Sequence, residues 1–333
     1  MSDRVTMADV AREAGVSKMT VSRVVNKKGE ISASTREHVL QVIKRLGYRP
    51  SAIARGLATN RTGTIGLVVP DIANPFFSEI ARGVEDKAYA ADYSVFLCST
   101  YEDPRRERDV LNSLEEKLVD GLLLCSSRLG QDELASVVDD FAAVVLVNRT
   151  VEDDDASMVR VDSVLGGRMA TEHLLAAGHR NIGFLTGPST SFDGRFRVTG
   201  YHQALEAAGL AVRPEWQRGC ASNVQGGLAA ARELLAEQPE LAALICYNDL
   251  VAVGALQACF QMGRRVPEDM AIVGFDDIPM AALVTPALTT CRSAQYEIGF
   301  QAMRLLLDRI HGCREGCEEI VLPPELVVRA SAP

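Results

Sequence analysis

Residues 6–26 predict two short helices joined by a glycine turn, and this pattern constrains the local fold more tightly than any other in the chain. Thr6 is suited to cap the first helix, with Asp9 three residues later. Gly15 ends that helix, because glycine readily takes the left-handed conformation that turns the chain. Ser17 then caps a second helix, and apolar residues of both helices face inward. The pattern predicts a helix-turn-helix.

The outward face of the second helix carries groups that suit the major groove of DNA. Lys18, Met19 and Thr20 place a cation, a thioether and a methyl group near the start of the helix. A recognition helix presents its amino-terminal residues to base edges in this way. A helical hairpin with a solvated basic face would show a similar pattern, and the residues alone leave that alternative open. The outward face continues with Ser22, Arg23 and Asn26.

The charge of the chain is distributed unevenly. Residues 1–60 contain eleven Lys and Arg against five Asp and Glu, so this segment is +6 whereas the whole chain is −9. A basic head on an acidic remainder is expected when only the head approaches phosphates. The charge distribution therefore favours DNA binding by the first 60 residues.

A third helix and a short fourth segment complete the head. Ser34 and Glu37 have the spacing of a capping box, which predicts that the third helix begins there. Gly47 ends that helix, and residues 48–50 form an extended step because the residue before a proline avoids the helical region. Residues 52–58 follow as about two helical turns, too short to be stable alone in water.

Short apolar strands alternate with amphipathic helices from Thr62 onward, which is typical of parallel sheets covered by helices on both faces. A faint internal repeat relates Ile65 to Ile182 and Gly83 to Gly200, at one constant spacing. We therefore expect a small all-α head followed by an α/β core of two doubly wound parallel-sheet subdomains. A ligand cleft should lie between them, at the carboxyl ends of the strands. The predicted strands are 65–69, 94–98, 121–124, 144–147, 182–185, 244–246 and 271–275.

The head contains several recognisable motifs, which are Val5-Thr6-Met7-Ala8-Asp9-Val10-Ala11, Gly15-Val16-Ser17, Thr20-Val21-Ser22-Arg23-Val24-Val25-Asn26, Leu46-Gly47-Tyr48-x-Pro50 and Ala54-Arg55-x-Leu57. These motifs resemble the head and hinge of the LacI/GalR family of transcriptional regulators. In that family two hinge helices of a dimer pair in the minor groove and insert a leucine from each subunit between base pairs, a wedge that kinks the duplex. The resemblance assigns that role to Leu57 and the small neighbouring position to Ala54. The residues expected to contact DNA are Thr6, Ser17, Lys18, Met19, Thr20, Ser22, Arg23, Asn26, Ser32, Tyr48, Ala54 and Leu57.

The remainder of the chain carries further motifs, which are Pro70-Asp71-Ile72-Ala73-Asn74-Pro75-Phe76-Phe77, Gly178-His179-Arg180-Asn181-Ile182, Arg197-x-x-Gly200-Tyr201, Asn248-Asp249 and Gly274-Phe275-Asp276-Asp277. They resemble the effector domain of the same family, which is similar to periplasmic sugar-binding proteins. The resemblance implies a periplasmic-binding-protein-like core in which the chain crosses between the subdomains three times. The expected domains are a head (1–50), a hinge helix and linker (51–61) and an effector-binding and dimerisation core (62–333). Within the core, we expect an N-subdomain of about 62–161 plus 292–321 and a C-subdomain of about 162–291 plus 322–331.

Several core residues follow predicted strands, where an effector would bind. Phe76 and Phe77 could stack on the apolar face of a sugar ring, and Arg197, Asn248 and Asp276 could hydrogen-bond to its hydroxyls. Each has a structural alternative: core packing for Phe76, a helix cap for Asn248 and an ion pair for Arg197 with Asp276. Further candidates from alignment of the variable loops are Arg149, Ser191, Asp193 and Ser222.

Enzyme motifs are missing from the sequence. No Gly-x-Gly-x-x-Gly follows a predicted strand, and neither a phosphate-binding Gly-x-x-x-x-Gly-Lys-Ser/Thr nor a Gly-x-Ser-x-Gly elbow occurs. The five histidines form no metal-binding pair. We therefore expect no catalytic activity, cofactor or metal. The sequence also contains no apolar stretch of 18 or more residues and no signal-peptide core, which predicts a cytoplasmic protein without membrane contact.

The combined expectation is a sequence-specific regulator that binds a pseudo-palindromic operator as a homodimer. The resemblance favours a repressor of a carbohydrate utilisation operon, released by a small sugar-type effector in the cleft between the subdomains. Control by a purine or nucleoside corepressor, or by a phosphorylated protein partner, is the alternative. In each case the ligand acts only if it binds two states of the dimer with different affinity.

Overall fold

The computed structural model describes residues 5–26, 29–48, 61–151, 156–313 and 316–333. The chain forms two compact units, Met1–Gly63 and Thr64–Pro333. The first unit corresponds to the basic head, and the second contains the alternating strands and helices.

The described part of the head contains three helices, α1 (Met7–Glu13), α2 (Lys18–Val25) and α3 (Ala33–Leu46). The predicted hinge segment 52–58 lies outside the described residues. The predicted cap of α1 is confirmed, because Thr6 and Asp9 form a capping box. Gly15 has a φ of 63°, which confirms the left-handed turn between α1 and α2. The helices enclose a small core of buried alanines and valines, which are Val10, Ala11, Ala14, Val21, Val24, Val39 and Val42.

The predicted cap of the third helix is wrong by two residues. Ser32, not Ser34, is the N-cap of α3, and its Oγ accepts a hydrogen bond from the backbone N–H of Thr35 at 3.2 Å. Ser34 therefore lies in the first turn, where its hydroxyl is 3.2 Å from that of Ser32. Ser32 and Ser34 lie two positions apart, and either serine could cap the helix. The spacing of Ser34 and Glu37 led to the prediction of the second serine.

Six parallel strands form the first sheet of the core, in the order β11-β5-β4-β3-β1-β2. Their apolar side chains are buried on both faces in the central strands, as expected for a parallel sheet covered by helices. The strand bounds are β1 (Thr64–Val69), β2 (Ser94–Ser99), β3 (Gly121–Cys125), β4 (Val144–Val147), β5 (Ser157–Val161) and β11 (Glu319–Leu322).

The second sheet also has six strands, in the order β12-β10-β9-β8-β6-β7, and only β12 runs antiparallel to its neighbour. These two sheets confirm the predicted fold class. The strand bounds are β6 (Ile182–Gly187), β7 (Gln217–Gly219), β8 (Ala243–Cys246), β9 (Ala271–Asp276), β10 (Thr289–Arg292) and β12 (Glu325–Val327).

Helices cover both sheets, and the helix pairs approach closely at glycines. Gly83 and Gly200, which the internal repeat relates, both lie at such crossings. A Cβ at Gly83 would lie 2.1 Å from the carbonyl oxygen of Tyr296, and one at Gly200 would lie 2.0 Å from that of Val164. The repeat therefore marks corresponding helix contacts in the two halves. The core helices are α4 (Pro75–Ala90), α5 (Pro104–Glu116), α6 (Gln131–Asp140), α7 (Ser163–Ala176), α8 (Phe192–Ala207), α9 (Val224–Glu237), α10 (Asp249–Gln261), α11 (Pro279–Leu283) and α12 (Gln295–Ile310).

The chain passes between the two halves of the core at three places. It leaves the first sheet after β5 at residue 162, returns after β10 at residues 293–294 and leaves again after β11 at residues 323–324. Val161 pairs with Leu322 in the first sheet, and Arg292 pairs with Glu325 in the second. The connecting segments thus lie side by side. In the residues that the structure describes, no helix has the length and apolar character needed to cross a membrane.

Candidate functional site

The first turn of α2 presents an exposed set of side chains in the head. Ser17 caps the helix by accepting a hydrogen bond from the backbone N–H of Thr20 at 3.1 Å. Lys18 and Met19 are exposed, and Met19 keeps 64% of its surface accessible although it is a large apolar residue. An exposed methionine beside a cation at the start of a helix suits contact with base edges rather than packing within the head.

Other predicted DNA-contacting residues have partners within the head. The hydroxyl of Thr6 donates to the carboxylate of Asp9 at 2.6 Å, and the amide of Asn26 donates to the hydroxyl of Ser22 at 3.3 Å. Arg23 is exposed beside Gly29, and Tyr48 packs against the head core. Ser32 caps α3, as described above. Ala54 and Leu57 lie outside the described residues, so their assignment stays a prediction.

A narrow cavity, partly open to solvent, lies between the two halves of the core. It forms where the carboxyl ends of several strands meet, which is the usual ligand site of open α/β sheets. One wall comes from the first subdomain and consists of Asn74, Phe76, Phe77, Glu102 and Ser126. The other comes from the second subdomain and consists of Asp193, Arg197, Ser222, Tyr247, Asn248 and Asp276.

Two phenylalanines at the start of α4 supply the apolar part of the first wall. The side chain of Asn74 caps α4 by accepting a hydrogen bond from the backbone N–H of Phe76 at 3.0 Å. The rings of Phe76 and Phe77 lie 5.0 Å apart in an edge-to-face arrangement. Both also belong to the core of the first subdomain, so Phe76 packs in the core and lines the cavity at once.

A buried guanidinium lies between two carboxylates in the second wall. Arg197, on α8, is 3.7 Å from Asp276, which ends β9. Arg197 Nε and Asp276 Oδ1 are buried without a hydrogen-bond partner among the described residues. Such groups rarely stay unsatisfied in native proteins. Both residues line the cavity, so these atoms are candidates to bond a ligand.

Burial and mutual attraction shift the titration of this cluster. Burial raises the pKa of Asp276 to about 6, and the nearby Arg197 opposes that rise. Burial also raises the pKa of Asp193, which accepts a hydrogen bond from Ser163 at 3.2 Å. Burial lowers the pKa of Arg197, but the two carboxylates outweigh burial and the net pKa is raised. The cluster therefore consists of a buried cation and two buried acids, and the cation opposes the rise that burial causes in the pKa of each acid.

Asn248 combines a structural and a cavity-lining position. Its side-chain oxygen caps α10 by accepting from the backbone N–H of Val251 at 2.9 Å, which confirms the predicted cap. Its amide nitrogen donates to the carbonyl oxygen of Ser222 at 3.3 Å. The capping bond fixes the orientation of the amide group at the cavity wall.

Unusual backbone conformations concentrate at the ends of the strands that meet here. Glu102, Ser126, Asn148 and Asp276 follow or end strands β2, β3, β4 and β9, and their φ angles are 62°, 45°, 51° and 104°. Non-glycine residues with positive φ are uncommon and cluster at functional sites. The positive φ angles at the carboxyl ends of these strands thus indicate a binding site there.

Family models match both the head and the core of the chain. Residues 6–51 match the family described as "Bacterial regulatory proteins, lacI family". Residues 62–330 match the family described as "Periplasmic binding proteins and sugar binding domain of LacI family". The chain belongs to the LacI family.

Individual relatives of this LacI-family chain are similar over nearly its whole length. The HTH-type transcriptional repressor PurR of Haemophilus influenzae (strain PittEE) is 39% identical, over 98% of this chain and 98% of its own length. The ribose operon repressor of Escherichia coli (strain K12) is 38% identical, over 98% and 99%. A crystal structure of the Lac repressor dimer bound to operator and the anti-inducer ONPF has a TM-score of 0.88 and 28% identity, covering 99% of each chain.

These matches confirm that the chain is a DNA-binding transcriptional repressor and not an enzyme. Repressors of the LacI family bind operator DNA as dimers and respond to small-molecule effectors. The helix-turn-helix head and the two-part core thus have the roles that their geometry indicates.

Two of the predicted effector residues of the LacI-family core lie outside the cavity lining. The guanidinium of Arg149 donates to the carbonyl oxygen of Leu129 at 3.0 Å and lies 4.8 Å from the ring centre of Phe192. Ser191 caps α8, and its hydroxyl is 2.9 Å from that of Tyr247. Ser191 therefore lies behind a residue of the wall. The lining does include the other predicted residues, which are Phe76, Phe77, Asp193, Arg197, Ser222, Asn248 and Asp276.

Sequence reasoning missed four residues of the lining, namely Asn74, Glu102, Ser126 and Tyr247. Ser126 and Tyr247 directly follow the strands β3 and β8, and the expected ligand position at the strand ends could have indicated both. Asn74 belongs to a motif used for the family resemblance, where its cap position before Pro75 was the available signal. Glu102 lies three residues beyond β2, and no sequence signal places it at the cavity.

Proposed function

We propose that the cavity binds a small neutral polyol of monosaccharide size, most simply a pentose such as ribose, and that this effector releases the repressor from a carbohydrate utilisation operon. The unsatisfied buried atoms Arg197 Nε and Asp276 Oδ1 carry this proposal. A sugar hydroxyl can donate to the carboxylate and accept from the guanidinium at the same time. The ribose operon repressor among the relatives makes ribose the first sugar to test.

The remaining lining supports a polyol over a flat heterocycle. Carboxylate and amide groups of Asp193 and Asn248 offer acceptors and a donor for further hydroxyls. Phe76 and Phe77 supply one apolar surface, on which the C–H face of a sugar ring can pack. The opposite wall carries the charged groups of Asp193, Arg197 and Asp276, which suit hydroxyl groups.

An effector in this position contacts both subdomains and therefore biases their relative position. We propose that one arrangement holds the heads of a cytoplasmic dimer at the spacing of the operator half-sites, and that the effector favours another. Such coupling is reciprocal, so operator DNA lowers effector affinity by the same factor. The domain boundaries expected from the sequence, at 1–50, 51–61 and 62–333, are part of this proposal.

Isothermal titration of the full chain with D-ribose, other pentoses, hexoses and purine bases tests the effector class. We expect binding of at least one neutral monosaccharide and release of operator DNA by that sugar. Binding of a purine alone would contradict the sugar proposal while keeping the cavity as the site. Failure of every small molecule to bind would favour a protein effector instead.

We further propose that β2 contributes to the dimer interface. This strand is at the edge of the first sheet, and its adjacent residues Phe96 and Leu97 are 42% and 43% exposed. They belong to a groove with Leu114 and Lys117 at the end of α5. An exposed apolar edge strand is a pairing surface that proteins usually cover. The occupant proposed here is a second copy of the chain, because the family binds DNA as dimers.

Replacing Met19 by alanine should relax the preference for one base pair in each operator half-site. Its exposed thioether can make an apolar contact with a base edge. Without that contact, the cost of a mismatch at this base pair should fall below the roughly 1–3 kcal/mol that is typical of specific sites. Anisotropy titrations against a set of half-site variants measure this effect. Leu40→Ala is the matched control, since Leu40 is also a large exposed apolar residue, on α3 instead of α2. Equal loss of affinity for every sequence would contradict the base contact.

Effector affinity should fall as the pH is lowered through about 6. Protonation of Asp276, whose pKa burial raises to about 6, removes an acceptor for a sugar hydroxyl. One linked proton changes the affinity by at most about tenfold per pH unit. Titrations between pH 5 and pH 8 should show this dependence of the affinity on pH. The Asp276→Asn variant should bind the sugar weakly, with an affinity that lacks this dependence. A wild-type affinity that is constant over this range would contradict the proposed contact.

Stability should show the opposite dependence on pH. The folded pKa of Asp276, about 6, exceeds its ordinary value of 3.8, so the folded chain binds more protons between these values. The free energy of unfolding should therefore decrease as the pH rises from about 4 to about 6. Burial raises the pKa of Asp193 as well, which adds to the same trend. Urea unfolding of the wild type and Asp276→Asn measures the contribution of Asp276.

A further inference from the structure

We propose that Glu102 makes the effector cavity reject anionic ligands, by covering the buried guanidinium of Arg128. This inference rests on the proposed function, since it assumes that the cavity is the effector site. It assigns Glu102 as a specificity-determining residue, which selects neutral sugars against their phosphorylated or oxidised derivatives.

Both carboxylate oxygens of Glu102 are engaged at the cavity wall. One accepts a hydrogen bond from Arg128 Nε, within the first subdomain. The other accepts from the hydroxyl of Ser222, in the second subdomain, at 2.8 Å. Glu102 and Ser222 both line the cavity, so this contact joins its two walls.

Arg128 is almost completely buried next to the cavity. Only 2% of its side chain is exposed, compared with 25% for Glu102. A buried guanidinium requires an opposite charge, because it has lost the stabilisation that water provides. Glu102 supplies that charge from the more exposed side, and therefore separates Arg128 from the part of the cavity that a ligand can reach.

The backbone holds Glu102 in a conformation that few residues adopt. Tyr101 and Glu102 have consecutive positive φ angles of 54° and 62°, although neither is glycine. The guanidinium of Arg106 lies 4.4 Å from the ring centre of Tyr101, which contributes to holding this turn. A left-handed turn that is maintained without glycine is consistent with selection for the position of the carboxylate.

The charges of the lining then determine which ligands fit. Glu102, Asp193 and Asp276 contribute three carboxyl groups, against the single guanidinium of Arg197. Arg128 forms an ion pair with Glu102 at the cavity wall, and the buried Glu107 lies near Arg128 on the side away from the lining. An anionic group entering near Glu102 therefore meets like charge. Without the carboxylate, Arg128 would offer donors in the planar arrangement that binds phosphate and carboxylate well.

The test compares Glu102→Ser with the wild type, as full chains, using inorganic phosphate, D-ribose and ribose 5-phosphate. Thermal shift and isothermal titration should detect no phosphate binding to the wild type and at least tenfold stronger phosphate binding to the variant. In the variant, the affinity for ribose 5-phosphate relative to that for D-ribose should also rise at least tenfold. Unchanged phosphate affinity in the folded variant, or wild-type binding of ribose 5-phosphate as strong as that of D-ribose, would overturn the proposal.

Control variants separate this effect from misfolding and from the sugar proposal. Glu102→Gln keeps the size of the side chain and should show a smaller gain in phosphate affinity than Glu102→Ser. This variant preserves the test if the serine substitution prevents folding. Adding Arg128→Met to Glu102→Ser should abolish the gain, whereas a gain that persists would contradict the role of Arg128. Glu116→Gln, at an exposed glutamate of α5, should behave as wild type. Because phosphate binding is read without sugar, failure of every neutral sugar to bind would overturn only the proposed function.

Discussion

Replacing Arg197 by alanine should abolish effector binding and lower the free energy of unfolding of the core by about 3–5 kcal/mol. Arg197 is the cation that Asp276 and Asp193 share, and its removal leaves two buried carboxyl groups without a counter-charge. Their pKa values should then rise further, because burial would act unopposed. Denaturant unfolding and effector titration of the same preparations measure both effects.

Two variants make the Arg197 result interpretable. Arg195→Ala removes an exposed arginine from the same helix and should change stability by less than about 0.5 kcal/mol. Arg197→Lys keeps the charge but not the planar group, and should recover stability more completely than effector affinity. A stability loss below 1 kcal/mol in Arg197→Ala, with effector binding intact, would show that Arg197 is neither a needed counter-charge nor a ligand contact.

The double substitution Phe96→Glu and Leu97→Glu should convert the repressor to a monomer and weaken operator binding by at least about 100-fold. Charged residues on this edge strand would oppose each other across a symmetric interface, and isolated heads would lose the advantage of binding two half-sites together. Analytical ultracentrifugation gives the oligomeric state, and anisotropy with operator DNA gives the affinity.

The matched control for the interface is Val328→Glu, which adds the same charge at another apolar residue, 50% exposed. It should remain dimeric and bind operator as the wild type does. The double variant should also keep the effector affinity of the core, since neither residue lines the cavity. A double variant that sediments as a dimer would place the interface elsewhere.

Local chemistry made the head predictable. The capping box at Thr6 and the left-handed Gly15 depend on neighbouring residues only, and the structure confirms both. The strands predicted in the core are also confirmed, because most of their residues are apolar. The missed strands β5, β7, β10, β11 and β12 have three to five residues each and mix polar with apolar side chains. Their pairing depends on the fold as a whole.

Most cavity residues in the quoted sequence motifs were predicted, whereas residues that only the tertiary fold brings to the cavity were harder to predict. Arg197 and Asp276 were predicted both as effector contacts and as a possible ion pair, and they lie 3.7 Å apart, on helix α8 and at the end of β9. Glu102 reaches the lining through a left-handed turn, which a sequence without glycine does not signal. The guanidinium of Arg149 contacts the ring of Phe192 and does not line the cavity. This contact depends on side-chain packing between the subdomains, which the sequence does not show.

The three neighbouring connections between the subdomains have a mechanical consequence. A single connection would allow one subdomain to twist about the other, whereas we expect three segments that lie side by side to restrict the motion mainly to bending. The subdomains therefore lose little rotational freedom when a ligand joins them. More of the contact energy between ligand and protein then remains available to separate the two states of the repressor.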